Sequence, residues 1–294
     1  MDRARIEQVR RFNRRVTQRL AALDDRHLAR NRPLAEARVL CEIGPDGCEV
    51  RTLRTRLGLD SDRASHLLRS LKADGLIELT ADGPDRRVRT ARLTPAGLAE
   101  RESLGQAGEA LAESLLSRLS ERQQMRLVGA MAEVERLLTA AMVDLRPVDP
   151  AHPDARQCIR AYTAELNRRS GSGRDPANGL PADPHELRPP EGLLVVASLH
   201  SEPVGCGAIR HQRDAPSEIE RMWVAEPVRG LGLARRLLER LEAEALRSGA
   251  TATRVEINGA LTEAIGLYRS AGYREVPASY DEPFANHWLQ KELR

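Results

Sequence analysis

The chain has 294 residues, 41% of them hydrophobic and 30% charged, with 46 Lys+Arg against 43 Asp+Glu and a net charge of +3. That length suits about two domains of roughly 100–200 residues each, and no run of about 18 apolar residues offers a membrane span. The positive excess sits in the first third, where residues 1–92 hold 21 Arg+Lys against 14 Asp+Glu (+7), so a polyanion partner is expected there and not in the second half.

The first residues, MDRARIEQVRRFNRR, lack an apolar signal core. Export is therefore not expected, and a cytoplasmic location is. Cys41, Cys48, Cys158 and Cys206 lack C-x-x-C spacing. In a reducing compartment they are expected to be ordinary thiols, and no metal site is expected.

Ile6, Val9, Phe12, Val16, Leu20 and Leu23 recur at three- and four-residue steps and predict a helix over Ile6–Leu23. A second helix runs from Pro33 to Ile43 and stops at Gly44-Pro45-Asp46-Gly47. Val50–Leu57 is a short helix stopped by Gly58. Asp60 or Ser61 caps the next one, whose apolar stripe is Ala64, Leu67, Leu68 and Leu71. Its other face carries Asp62, Arg63, Ser65, His66, Arg69 and Ser70, and Gly75 marks its end. Leu76–Thr80 and Val88–Leu93 read as strands around a turn, Ala81-Asp82-Gly83-Pro84-Asp85-Arg86-Arg87.

Short helix, turn, longer helix with outward polar residues, then a hairpin is the order of a winged helix-turn-helix. With Glu36-Ala37-Arg38-Val39-Leu40 and the motif Asp85-x-Arg87-x-Arg89, the N-terminal half resembles the MarR transcription regulators. The resemblance implies a recognition helix at Ser61–Ala73 and a wing at Thr80–Thr90, with double-stranded DNA as the partner. Ser61, Asp62, Arg63, Ser65, His66 and Arg69 would face the major groove. Arg87 would enter the minor groove, oriented by Asp85 and flanked by Arg86 and Arg89. A solvated helix face and a polar turn would show the same charges; element order and wing motif together favour DNA.

Pro95 begins a helix to about Leu119, with Leu98, Leu104, Leu111, Leu115 and Leu116 on its apolar side. Ser120-x-x-Gln123 resembles a capping box and restarts a helix carrying Leu127, Val128, Met131, Val134, Leu137, Leu138 and Ala141. The resemblance implies a homodimer through these terminal helices; a coiled core within one chain is the alternative. A dimer would place recognition helices about 34 Å apart on an approximately palindromic operator.

Composition changes at Arg146-Pro147-Val148-Asp149-Pro150, and the domains are expected to be 1–142 and 143–294. Pro153–Asn167 is a helix with Ile159, Tyr162 and Leu166 on one side. Arg168–Gly192 is rich in Gly, Pro and Asp and has no periodicity; a loop of this length is either functional or a flexible insertion. Gly192–Leu199, Val204–Arg210, Glu218–Val224, Thr253–Ile257 and Ala285–Lys291 read as strands, and Ala264–Ala271 as a short helix. The fold class is two domains: a mainly α winged helix-turn-helix, then an α/β domain with a mixed central sheet.

In Val224–Glu244 a strand end runs into a tight turn and a helix. Gly230 and Gly232 allow the backbone to approach a ligand closely, and the helix start presents unpaired N–H groups at its positive end. That suits a pyrophosphate, with Arg229 and Arg235 beside it. A dinucleotide fold lacks its third glycine here and a Walker loop its Gly-Lys-Ser/Thr; a plain structural helix start remains the alternative. Arg229-x-x-Gly232-x-Ala234 resembles the acetyl-CoA loop of the GNAT N-acetyltransferases. Glu218–Val224 resembles that family's central strand, and Asn258 with Ala264-Ile265-Gly266-Leu267-Tyr268-Arg269-Ser270-Ala271-Gly272-Tyr273 resembles its second signature.

The resemblance, which covers about Val143 to Arg294, implies acetyl-CoA as cofactor. It would be held by Gly230, Leu231, Gly232, Leu233 and Ala234, by the backbone of Met222, Trp223 and Val224, and by Asn258 and Ala264. Acetyl transfer to an amine needs grip, deprotonation of the amine, oxyanion stabilisation and protonation of the leaving thiolate. Tyr268 is the candidate acid, or else an amphipathic core residue. Glu218 and Glu220 are candidate bases on one face of the strand, or else salt-bridged surface residues. Two functions follow. One is a regulator fused to a working acetyltransferase for a small amine or amino acid, with ligand coupling between the halves. The other is a regulator whose second domain senses acetyl-CoA or a metabolite without turnover. A protein acetyltransferase targeted by DNA binding is a third class that nothing in the sequence supports.

Overall fold

Residue contacts divide the chain into two units, Met1–Ala130 and Met131–Arg294. The computed structural model describes residues 2–27, 32–81, 89–170, 184–212, 215–278 and 287–294. Among them no helix is long and apolar enough to cross a membrane.

The N-terminal unit runs α1 (Arg3–His27), α2 (Leu34–Ile43), β1 (Cys48–Glu49), α3 (Val50–Leu57), α4 (Ser61–Ala73), β2 (Ile77–Thr80), β3 (Thr90–Leu93) and α5 (Pro95–Leu116). The start of α4 follows from one side chain: Asp60 accepts the Arg63 N–H at 2.7 Å, which satisfies a donor the helix cannot. Ala64, Leu67, Leu68 and Leu71 of α4 are buried, and the three leucines pack with Val39, Leu40 and Ile43 of α2 and Leu53 of α3. Each such leucine contributes about 1.5–3 kcal/mol by leaving water. β2 and β3 pair antiparallel from Ile77–Leu93 to Thr80–Thr90. A two-residue strand that sequence reading missed, β1, joins the other edge of β3. Thr94 caps α5 by accepting the Gly97 N–H at 3.0 Å. Gly97 is required there, because a Cβ would stand 2.0 Å from the Leu76 carbonyl oxygen.

One ion cluster ties three helices of this unit. Arg32 reaches Glu36 and Asp74 at 2.9 Å and Glu100 at 3.3 Å, and Ser70 donates to Glu36 at 2.7 Å. Helix α6 (Glu121–Met142) crosses the division between the units. At its start the Gln123 side chain accepts the Ser120 N–H at 3.0 Å, half of the expected capping box.

The C-terminal unit continues with β4 (Asp144–Pro147), α7 (Pro153–Ser170), a 3-10 turn at Pro184–Leu187, β5 (Gly192–Leu199), β6 (Glu202–Arg210) and β7 (Ser217–Val224). It ends with α8 (Leu233–Arg247), β8 (Ala252–Ile257), α9 (Thr262–Ser270), β9 (Arg274–Glu275) and β10 (His287–Glu292). Seven strands form one sheet in the order β4-β5-β6-β7-β8-β10-β9. Among the described strands only β7 and β8 are parallel neighbours, so the sheet is mixed. Along β5, Leu193, Val195 and Ala197 pack in the core with α8, while Leu194 and Val196 pack with Ala155, Cys158 and Ile159 of α7. Strand alternation thus fills both faces, one helix layer to each.

Two irregularities place the site. The parallel pairing of β7 with β8 runs only from Ser217–Thr253 to Ile219–Val255. Beyond it the strands part. On the other edge of β7, Ala208 pairs with Glu220 and Cys206 with Trp223, so Arg221 and Met222 together oppose Gly207. This is a β-bulge, and Arg221 sits in it at φ 54. Gly207 leaves room for it: a Cβ would stand 2.6 Å from Met222 Sδ and 2.9 Å from Leu241 Cδ1.

Candidate functional site

The parting of β7 from β8 opens a cleft of about 550 Å³. Its walls come from α7, the end of β7, the turn into α8, and α9. Of the residues expected at a cofactor site, Met222, Trp223, Val224, Arg229, Gly230, Gly232, Leu233, Ala234, Arg235, Ala264 and Tyr268 line it.

The turn is built from two left-handed glycines, Gly230 at φ 76 and Gly232 at φ 75. Gly232 is the residue before α8, and no side chain caps that helix. Its first N–H groups therefore have no side-chain cap, at the end where the helix dipole favours negative charge. No atom lies within 4 Å of a Cβ built on Gly232, so the conformation and not crowding calls for glycine there. Behind the turn α8 is anchored by Leu233, Leu237, Leu238, Leu241 and Ala245, all buried.

Two of the expected arginines also make contacts within the protein, and two expected residues stand outside the lining. Arg229 donates to the Val224 carbonyl at 2.9 Å and also pairs with Glu165, so its guanidinium spans strand and helix. Leu231 packs against the core and is not among the cleft's lining residues. Asn258 is not either; its side chain accepts the Ala260 N–H at 3.0 Å in the turn from β8 to α9. Arg235 donates to Ser270 Oγ at 2.5 Å.

Tyr268 is 4% exposed and lies edge-on to Tyr273, with ring centroids 5.3 Å apart. Burial pushes its phenol well above the ordinary value, so it holds its proton through the neutral range. Glu220 and Glu218 do not line the cleft. Glu218 is buried and paired with Arg210, and Glu220 is paired with Arg221 at 2.6 Å. Burial pushes Glu220 above the usual carboxylate range, with Arg221 opposing.

Sequence reading assigned no site role to Tyr162, Glu165, Arg169 and Glu263, all of which line the cleft. Tyr162 is pushed up to about 12 by burial, with the charge of Glu220 adding to it. Glu165 gathers three donors: Trp223 Nε1 at 3.0 Å, Arg169 at 3.0 Å, and Arg229. Arg169 also reaches Glu263 at 2.8 Å, which joins α7 to α9. For the first three the only sequence signal was spacing on α7, where Tyr162, Glu165 and Arg169 fall three and four apart.

In the N-terminal unit Ser61, Asp62, Arg63, Ser65, His66 and Arg69 are all exposed on α4, opposite its buried stripe. Arg89 is exposed as well. Asp85, Arg86 and Arg87 lie outside the described residues, as does most of the expected wing.

Family comparison matches residues 159–273 to the acetyltransferase (GNAT) family and residues 31–88 to the MarR family. An IAA acetyltransferase of Azospirillum brasilense is 34% identical over 112 residues, which is 38% of this chain and 73% of that one. A GNAT-family acetyltransferase structure from Staphylococcus aureus Mu50 is 14% identical, covers 52% of this chain and 99% of its own, and has a TM-score of 0.43. A structure described as a probable transcriptional regulator from Pseudomonas aeruginosa is 27% identical over 43% of this chain and 96% of its own, with a TM-score of 0.38.

Proposed function

We propose that this chain, which belongs to the GNAT acetyltransferase family through residues 159–273 and carries a MarR family domain at residues 31–88, is a DNA-binding transcription regulator and an acetyl-CoA-dependent N-acetyltransferase in one. Its acceptor is a small amine or amino acid. The observation that carries the enzymatic half is the uncapped start of α8 behind Gly230 and Gly232, opening on a cleft that reaches Tyr268. When bound, acetyl-CoA supplies the activated acyl group. The N–H groups from Gly230 to Ala234 bind its pyrophosphate. Where β8 no longer pairs with β7, the backbone of Met222–Val224 receives the pantetheine arm. Glu220, whose proton affinity burial raises above that of an ordinary carboxylate, takes the amine proton directly or through water. Glu218 is the second candidate. The Tyr268 hydroxyl, protonated throughout, delivers a proton to the departing thiolate.

The regulatory half uses the exposed face of α4 against the major groove, with Arg87 and its neighbours in the minor groove. Exposed apolar side chains support a homodimer of this half: Ile6, Val9 and Phe12 on α1, Leu98 and Leu115 on α5, and Met125 and Val128 on α6. The domains are taken as 1–142 and 143–294, the location as cytoplasmic, and binding in one half as coupled to the other. A second reading has one observation in its favour. Both candidate bases are held in ion pairs with arginines, as expected of a domain that binds acetyl-CoA without turning it over. CoA release from acetyl-CoA, measured against a panel of amines and amino acids, separates the two. Turnover with one acceptor is the expected result; acetyl-CoA binding without turnover on any acceptor would favour the sensor.

A further inference from the structure

Two arginines that sequence reading left without a role fasten α6 to the turn that opens α8. Arg136, on α6, donates from Nη2 to the Gly230 carbonyl at 2.8 Å. Arg236, in the first turn of α8, donates from Nη1 to the Ala140 carbonyl at 2.6 Å and from Nη2 to the Val143 carbonyl at 2.8 Å. The last carbonyls of a helix have no partner within it. Arg236 supplies partners at the end of α6, so the start of one helix caps the end of the other.

The Gly230 contact bears on the turn's geometry. Gly230 is left-handed, and a Cβ there would stand 3.1 Å from Arg136 Nη2, so the glycine admits the guanidinium. Its carbonyl shares a planar trans peptide with the Leu231 N–H, which therefore points the opposite way. Holding the carbonyl fixes the direction of that N–H. Both arginine contacts lie inside the C-terminal unit, yet α6 begins at Glu121, in the N-terminal one.

We propose that Arg136 and Arg236 are positioning residues of the acyl-CoA phosphate turn, and that through them occupancy of the turn biases helix α6. The inference rests on the phosphate-turn reading above. It names the element through which the halves are coupled. Binding of an anion at the turn and the conformation of α6 are then reciprocally linked: whatever one does to the other is returned in equal free energy.

The test uses the full chain with coenzyme A as probe, read by calorimetry and by amide hydrogen exchange along Glu121–Met142. Coenzyme A is expected to slow exchange along α6, including its part before Met131. Arg136→Ala should weaken coenzyme A by about tenfold, the scale of one charge-assisted hydrogen bond. It should raise KM for acetyl-CoA while leaving kcat, and it should erase the effect on residues 121–130. Arg136→Lys should restore part of the affinity. The Arg136 side chain is 55% exposed, so its loss should leave the melting temperature in place. Arg236→Ala should speed exchange at the end of α6 and weaken coenzyme A as well. Unchanged affinity in both alanine variants, or exchange in wild-type α6 indifferent to saturating coenzyme A, would overturn the inference alone. No binding of coenzyme A to the wild type would overturn the phosphate-turn reading and this inference with it.

Discussion

Glu165 on α7 accepts the indole N–H of Trp223 at 3.0 Å, and its carboxylate also engages Arg169 and Arg229. An acid therefore stands in the wall of a cleft read as an anion site, holding two of its cations. Glu165→Gln keeps an acceptor for Trp223 and removes the negative charge. It should tighten coenzyme A by a few-fold, about 0.5–1 kcal/mol of relieved repulsion at a partly wet site. Calorimetry reads this directly. Weaker binding would mean that Glu165 serves to orient Arg229 and not to compete for it.

Gly232→Glu should remove acetyl-CoA binding through like charge at the head of α8. The residue would be forced left-handed, at about 1–2 kcal/mol, and meets no neighbour on the way. The melting transition should therefore fall only slightly while calorimetric binding disappears. Retained binding would defeat the phosphate-turn reading.

Tyr268→Phe keeps the ring packed against Tyr273 and deletes the hydroxyl. Turnover should drop by about 10²–10⁴, the usual worth of a positioned acid, with acetyl-CoA affinity kept. An equal rate in the two proteins would leave Tyr268 a core residue.

Glu220 carries a pH prediction. Its pKa is raised in the folded chain, chiefly by burial. Below that pKa it is protonated and cannot take a proton, so the acid limb of the rate profile should lie above the ordinary carboxylate range, and Glu220→Gln should abolish turnover. For stability the sign is reversed. The folded state binds this proton more tightly than the unfolded chain does, so the group's contribution is lost as pH rises from the ordinary glutamate value through the raised one. Denaturant titrations of wild type and Glu220→Gln across that window should converge on the acid side and separate on the alkaline side.

In the N-terminal half the two faces of α4 should separate cleanly. Leu71 is fully buried, and Leu71→Ala should cost about 2–5 kcal/mol of stability. Arg63→Ala and Arg87→Ala should leave stability alone and each weaken DNA by about 1–3 kcal/mol, read by mobility shift on a duplex selected from a random pool. Unchanged DNA affinity in both arginine variants would sink the recognition reading.

The elements legible in the sequence were those set by local rules. The stripe Ala64, Leu67, Leu68, Leu71 fixes which side of α4 is buried, and Asp60 its start. Two glycines and the apolar period after them located the turn into α8. The rest depends on contacts between residues far apart in the chain. A left-handed arginine at position 221 has no local signature, and the bulge around it faces Gly207 on the neighbouring strand, where a Cβ would crowd Met222 and Leu241. Glu165 is an ordinary helix glutamate until β7 and the turn bring Trp223 and Arg229 to it. β1, two residues long, exists because β3 had an edge to offer.

The parting of β7 from β8 has a consequence for self-association. An unpaired strand edge is a template on which another chain can add. Here the unpaired stretch, which walls the cleft, is a poor template. Arg221 breaks its extended geometry midway, and the Val224 carbonyl is already taken by the guanidinium of Arg229. A substitution that straightened the bulge would give the molecule a longer regular edge, on which such addition becomes easier.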